Sequence, residues 1–164
     1  MLSRQKIILS ILKLAGRAVE RLEFMQWAFL LRNESPSDGG SAFYDFVPYH
    51  CGPYSFTLNH EAGKLESEGL LVATEATWAA TNGDWSEALE TPVLRDLSAI
   101  VRKFKTVPPS QVLDEIYARF PEYGVLSRRR KLVERSTAEL AVYTAGYEGL
   151  SVDAFLNGLI ANGI

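Results

Sequence analysis

The fold is indicated most strongly by one stretch, Gly52-Pro-Tyr-Ser55, Phe56-Thr-Leu-Asn-His-Glu-Ala-Gly-Lys-Leu-Glu-Ser67 and Glu68-Gly-Leu-Leu71. Ser55 is a suitable N-cap, and Gly69 is a suitable residue to end a helix. Between them, apolar residues recur at the three- and four-residue spacing that places them on one helical face. The sequence therefore predicts a helix over 56–67, followed by a strand over Leu70–Ala73.

Two helices are predicted before this stretch. The first runs from Ser3 to Leu14, with apolar residues on one face and Gly16 at its end. The second runs from about Glu20 to Arg32 and is apolar on more than one face, so we expect it to be central. Residues 33–41 consist largely of turn formers and predict a loop.

The densest aromatic stretch runs from Phe43 to Phe56. Phe43–Val47 suits a short strand, after which the prolines require an extended, turned path. Such aromatics could stack on single-stranded bases, but we favour burial in the core. Further on, Asn82-Gly83 is a hairpin turn signal and predicts paired strands around Trp78 and Trp85.

This order of helix, helix, short strand, helix and hairpin is that of a winged helix. The stretch Arg4–Leu71 resembles the winged-helix-like module joined to the prokaryotic domain-of-unknown-function family four-eight-eight in larger proteins. More loosely, the block Phe46-Val-Pro-Tyr-His-Cys-Gly-Pro-Tyr-Ser55 is similar to the corresponding block of Panacea antitoxin domains.

A helical extension is predicted after the hairpin. Thr91-Pro92 opens a helix that reaches about Lys105, and Ser110 is expected to cap another that ends before Pro121. Residues 127–135 predict a short basic helix or turn, and residues 136–139 a linker.

The last segment predicts the beginning of another domain. Ala141–Thr144 suits a strand, a glycine turn follows, and Ser151 suits the N-cap of a final helix. The phrase Tyr143-Thr-Ala-Gly-Tyr-Glu-Gly-Leu-Ser151 resembles the opening of family four-eight-eight. We expect this stub to pack against the helices around Val101 and Ile116, or, as we favour, to pair with itself in a homodimer.

The predicted fold class is α+β, mainly α: a winged helix-turn-helix-like domain with a helical extension and a strand-helix stub of an incomplete α/β domain. The expected boundaries are 1–90 for the winged-helix-like domain, 91–139 for the extension and linker, and 140–164 for the truncated start of the α/β domain.

Composition limits the classes of function. The chain has 164 residues, 47% of them hydrophobic, and a net charge of -3, which argues against a protein that coats nucleic acid. Cys51 is the only cysteine, so an intramolecular disulfide is impossible and a cytoplasmic location is expected. No apolar run is long enough to predict a membrane span.

The sequence predicts no catalytic, metal or cofactor residues. His50 and Cys51 are adjacent on an extended segment and therefore point to opposite sides. Two histidines and one cysteine show no metal-ligand spacing, and the glycines form no phosphate-binding motif. If the protein is an enzyme, as the alternative holds, its active site lies in a missing C-terminal domain.

Contact residues are predicted on two segments. Thr57, Asn59, His60 and Lys64 should line the outward face of the third helix, while Arg128, Arg129, Arg130 and Lys131 form the main basic run. Glu61, Glu66 and Glu68 should make that helix acidic, which would repel phosphates. We therefore expect a non-catalytic binding or regulatory module of a larger prokaryotic protein, contacting nucleic acid or a protein partner. A Panacea-like antitoxin or adaptor is a further alternative.

Overall fold

The chain forms a mainly helical α+β structure. A computed structural model describes residues 1–83, 85, 89–129, 144–150 and 152–161. Its helices and strands, in chain order, are α1 (Ser3–Ala15), β1 (Val19–Glu20), α2 (Arg21–Glu34), β2 (Val47–Tyr49), β3 (Gly52–Tyr54), α3 (Phe56–Ser67), β4 (Leu71–Ala73), β5 (Thr77–Ala80), α4 (Thr91–Phe104), α5 (Pro109–Arg119), a 3-10 helix (Pro121–Gly124) and α6 (Val152–Ala161).

Helix α2 is the centre of the core, as its sequence predicts. It is buried without interruption from Glu23 to Leu31, so neighbours cover it on all sides. Helix α1 buries the face that contains Ile7, Ile8 and Ile11, and it ends at Gly16, whose φ of 68° is left-handed. Helices α4 and α5 pack on α2, and α4 also packs on α1, so residues 91–119 share one core with the preceding segments.

The three-stranded antiparallel sheet has the order β1-β5-β4. Val19 pairs with Trp78, and Leu71 with Ala80. The predicted hairpin that pairs strands around Trp78 and Trp85 across Asn82-Gly83 is wrong, because β5 already has β1 and β4 as its two neighbours. Residues 84 and 86–88, on which part of this prediction falls, lie outside the described residues. Strand β5 is joined to β4 by a turn in which the Thr74 hydroxyl accepts the N–H groups of Ala76 and Thr77.

A second hairpin, β2–β3, occupies the middle of the aromatic stretch. The strand predicted over Phe43–Val47 is wrong, since β2 begins only at Val47. Phe43, Tyr44 and Phe46 precede it in irregular backbone and are buried, so burial rather than strand pairing holds that segment in place.

Helix α5 begins two residues earlier than predicted. Pro109 is its first residue and Pro108 its N-cap, so the prediction that Ser110 caps the helix is wrong. Proline suits the first helical turn because its missing N–H would have no helical acceptor there. Helix α4 starts at Thr91 with Pro92 in its first turn, as expected.

The final helix, α6, packs in a different place from the one predicted. Its main contacts are with β2 and the 3-10 helix rather than with the helices around Val101 and Ile116. Asn157 donates a hydrogen bond of 2.8 Å to the Tyr123 hydroxyl. The predicted strand residues Ala141–Tyr143, the linker 136–139 and the Ser151 cap lie outside the described residues, as do Arg130 and Lys131. Pairing of the stub in a homodimer stays a prediction.

Gly52 and Gly63 provide a matched pair of stability tests. We expect Gly52→Ala to lower the free energy of unfolding by about 1–3 kcal/mol, because Gly52 has a φ of 117°. An added Cβ would also lie 2.7 Å from Leu113 Cδ1. Gly63→Ala should raise the free energy of unfolding by about 0.5–1 kcal/mol, since Gly63 is helical with open space at its Cβ position. Urea unfolding measures both changes, and a neutral Gly52→Ala would contradict this account of the turn.

Candidate functional site

The outward face of α3 is the part of the predicted contact surface that the structure assembles. The Ser55 hydroxyl accepts the Leu58 N–H and caps the helix as predicted, and Leu58, Ala62 and Leu65 are buried. The predicted contact residues Thr57, His60 and Lys64 are exposed, whereas Asn59 is half-buried. The helix packs on β4 and α1, which leaves this face open beside the β4–β5 hairpin.

Glu61 is not part of that face, which corrects the prediction of an acidic outward surface that includes it. Its side chain is only 5% exposed and forms an ion pair with Arg4. The Arg4 guanidinium donates two hydrogen bonds to Glu61 Oε1, from Nε at 3.0 Å and from Nη2 at 2.5 Å. The Tyr44 hydroxyl donates to Oε2 at 2.7 Å. We call these three residues the Glu61 network.

The Glu61 network keeps its carboxylate ionised. Burial alone would raise the pKa of Glu61, but the hydrogen bonds from Arg4 and Tyr44 and the charge of Arg4 outweigh it, so the pKa lies below its ordinary value. Burial and the neighbouring carboxylate raise the pKa of the Tyr44 hydroxyl, which therefore remains a donor. The network joins α1, the segment before β2, and α3, and so fixes which face of α3 is turned outward.

Around α3, exposed acidic residues still outnumber exposed basic residues. Glu66 and Glu68 near the end of α3 and Glu75 in the β4–β5 turn are exposed, while Lys64 is the exposed cation of the helix. Arg21 lies beside the same turn, where it donates to the Thr74 carbonyl at 2.6 Å and stacks over Trp78. A phosphate backbone would therefore meet more repulsion than attraction on this face.

Arg128 and Arg129, the described part of the predicted basic run, follow the 3-10 helix. Arg129 is 3.7 Å from an Asp114 carboxylate oxygen and donates to the Ser110 carbonyl, so contacts with α5 partly compensate its charge. The Arg128 N–H donates to the His50 carbonyl, which places this exposed arginine beside the β2–β3 turn. On α4, the cation Lys103 pairs with Glu115 of α5 at 3.2 Å.

His50 and Cys51 form the β2–β3 turn and do not make a catalytic pair. The His50 ring lies against Tyr49, with 3.8 Å between ring centroids. Burial raises the pKa of the half-buried Cys51 thiol, despite the nearby charge of Arg128, so the thiol is protonated at neutral pH. Among the described residues, no group of three or more His, Cys, Asp or Glu side chains is placed to hold a metal ion.

A cleft of about 130 Å³ lies between the starts of α1 and α4. Among the residues that the structure describes, Arg4 and Glu90 are its charged lining residues. Arg4 is already bound to Glu61 on another element, so the cleft contains no acid-base pair of its own.

A group of aromatic rings on the β2–β3 hairpin and the first residue of α3 is partly exposed, which corrects the expectation that the whole aromatic stretch is buried in the core. Phe56 is 58% exposed, and Tyr49 and Tyr54 are half-buried. Ring centroids are 5.2 Å apart for Tyr49 and Tyr54, 5.5 Å for Tyr49 and Phe56, and 4.9 Å for Tyr54 and Phe56. We call these three residues the aromatic surface; the alternation of prolines and tyrosines along the hairpin was the available signal.

Comparison of the chain with protein-family models, curated proteins and solved structures gave no match. The resemblances to family four-eight-eight and to Panacea domains therefore stay predictions. Across the described ranges, no helix combines the length and apolar character that crossing a membrane requires.

The Glu61 network should make stability depend on pH. The pKa of Glu61 is lower in the folded protein than its ordinary value near 4.5. The ionised carboxylate therefore stabilises the fold fully above that ordinary pKa, and this stabilisation is lost as pH falls through the pKa of the folded protein. Glu61→Gln should lower the free energy of unfolding by about 2 kcal/mol at pH 7, because Arg4 would then have a neutral partner in place of a charged one. Urea unfolding between pH 7 and pH 3 measures the free energy of unfolding, which should decline less in the variant than in the wild type as pH falls. Equal declines in the two proteins would show that Glu61 does not contribute to acid sensitivity.

Cys51 should be replaceable. Because its thiol is protonated and only half-buried in a turn, Cys51→Ala should change the free energy of unfolding by no more than about 1–2 kcal/mol. Thermal unfolding monitored by circular dichroism tests this. A larger loss would mean that the thiol makes packing contacts that alanine cannot replace.

Proposed function

We propose that this chain is a non-catalytic binding module of a larger prokaryotic protein, and that it contacts a protein partner through the outward face of α3 and the β4–β5 hairpin. The observation behind this proposal is the exposed polar row Thr57, His60 and Lys64 on a helix whose inward face is fixed by a buried ion pair. A rigid helix with an exposed face gives a pre-organised contact, which reduces the entropy lost on binding.

The order of elements supports a winged-helix type of module. The order along the chain is α1, β1, α2, α3 and then the β4–β5 hairpin. Strand β1 pairs with this hairpin and gives a sheet of order β1-β5-β4. The β2–β3 hairpin is inserted between α2 and α3. In winged helices the third helix and the hairpin form the contact surface, which is the part left open here.

The charge of this face favours protein over duplex nucleic acid. Glu66, Glu68 and Glu75 are exposed around a single helix lysine, Lys64. A module that binds a phosphate backbone needs a continuous basic surface, whereas a polar surface of mixed charge is typical of the rim of a protein interface. The partner surface should therefore be neutral or basic.

The enzyme and antitoxin alternatives rest on the resemblances alone. The Cys51 thiol is protonated, and the cleft at the starts of α1 and α4 has no acid-base pair of its own. An active site in a following domain would leave the role proposed for this module unchanged.

Affinity capture from lysate of the source cell, with and without nuclease treatment, tests the proposal. The full chain should retain a protein partner, and the double variant His60→Ala, Lys64→Ala should reduce its recovery at least tenfold, as a combined loss of about 1.4 kcal/mol would. The matched control Lys6→Ala, Lys13→Ala alters two cations of α1 and should capture as the wild type does. Equal recovery by the α3 variant would refute the proposed contact, and loss of the partner on nuclease treatment would point to nucleic acid instead.

A further inference from the structure

The aromatic surface is a part of the molecule that the proposed function does not use. Its three rings lie within 5.5 Å of one another by centroid distance, and Phe56 is the most exposed of them at 58%. Exposing large apolar rings together is unfavourable in water, so such a group in a folded protein indicates a contact site. Flat rings at this spacing offer faces on which other flat groups can stack.

The register of the β2–β3 hairpin explains why these rings are outside. Pro48 lies opposite Pro53, and both prolines are buried, so one face of the hairpin is directed inward. Side chains alternate along a strand, which places Tyr49 and Tyr54 on the other face. Phe56 follows two residues after Tyr54, beyond the N-cap of α3, and completes the group.

An exposed arginine, Arg128, lies beside this surface. Its backbone N–H donates to the His50 carbonyl, in the turn between the two strands. The charge of Arg128 also favours the ionised form of the neighbouring Cys51 thiol, although burial has the larger effect on the pKa of that thiol. Cations beside stacked rings are the pairing that a nucleic-acid strand requires.

We propose that the aromatic surface binds single-stranded nucleic acid, with bases stacked on Phe56, Tyr54 and Tyr49 and a backbone phosphate held by Arg128. A duplex cannot use this surface in the same way, because its base faces are already stacked. A proline-rich peptide would also fit aromatic rings, but it has no negative charge to match Arg128. The surface is small enough to stack two or three bases.

This inference is independent of the proposed protein contact. Phe56 is the first residue of α3, while the row Thr57, His60 and Lys64 faces outward further along the helix. Variants can therefore alter one surface and leave the other intact, so the failure of one proposal is distinguishable from failure of the other.

Fluorescence anisotropy with the full chain and a labelled 15-nucleotide oligo-dT tests the inference, with a 15-base-pair duplex as comparison. We expect the single strand to bind at least tenfold more tightly than the duplex in 50 mM salt and to weaken as salt is raised to 200 mM. Phe56→Ala should weaken it at least fivefold, the loss of one stacked base. Arg128→Gln should reduce the slope of log affinity against log salt by about 0.7, the value for one phosphate on a single strand.

The controls separate stacking and phosphate contact from general effects. Leu14→Ala removes an exposed apolar side chain of α1, and Arg95→Gln removes an exposed arginine of α4; both should bind as the wild type does. The double variant His60→Ala, Lys64→Ala should also keep its affinity for oligo-dT. Circular dichroism confirms that each variant is folded. Absence of saturable binding, equal affinity for the duplex, or unchanged binding by folded Phe56→Ala would overturn the inference, as would preference for a proline-rich peptide over oligo-dT.

Discussion

A buried negative charge constrains the arrangement of the N-terminal half of the molecule. An ionised carboxylate can be removed from water only if charge and hydrogen bonds replace the lost hydration. Glu61 obtains them from Arg4, at the start of the chain, and from Tyr44, in the segment before β2. Any rotation of α3 about its axis would separate these groups. The same constraint therefore sets the inward face of α3 and, by exclusion, the face that is available to a partner.

Helices were the most predictable part of the fold. The apolar spacing in α1 and α3, the Ser55 cap and the glycine ends predict elements whose bounds agree with the structure to within a residue. The central position of α2 also followed from its sequence, since a helix that is apolar on several faces has to be covered by neighbours. These signals are local, and local spacing is what a sequence displays directly.

Features that depend on which strands pair, or on contacts between residues far apart in the sequence, were not predictable. Asn82-Gly83 is a strong turn signal, but β5 already lies between β1 and β4 and cannot pair with a strand that follows that turn. Glu61 looks like one of several acidic residues on α3, and nothing nearby reveals that its partner, Arg4, is 57 residues away. The aromatic stretch was expected to be core throughout, yet hairpin pairing divides it: Phe46 is buried and Phe56 is exposed.

The facing prolines of the β2–β3 hairpin also determine how it can meet another molecule. In an antiparallel pair, opposed residues that share no ladder hydrogen bonds direct their N–H groups away from the partner strand. Pro48 and Pro53 occupy such a pair, and proline has no N–H, so both outer edges lack a donor at mid-strand. The hairpin is therefore a poor template for a further strand. It can display aromatic rings to solvent while resisting the edge-to-edge growth that leads apolar hairpins to aggregate.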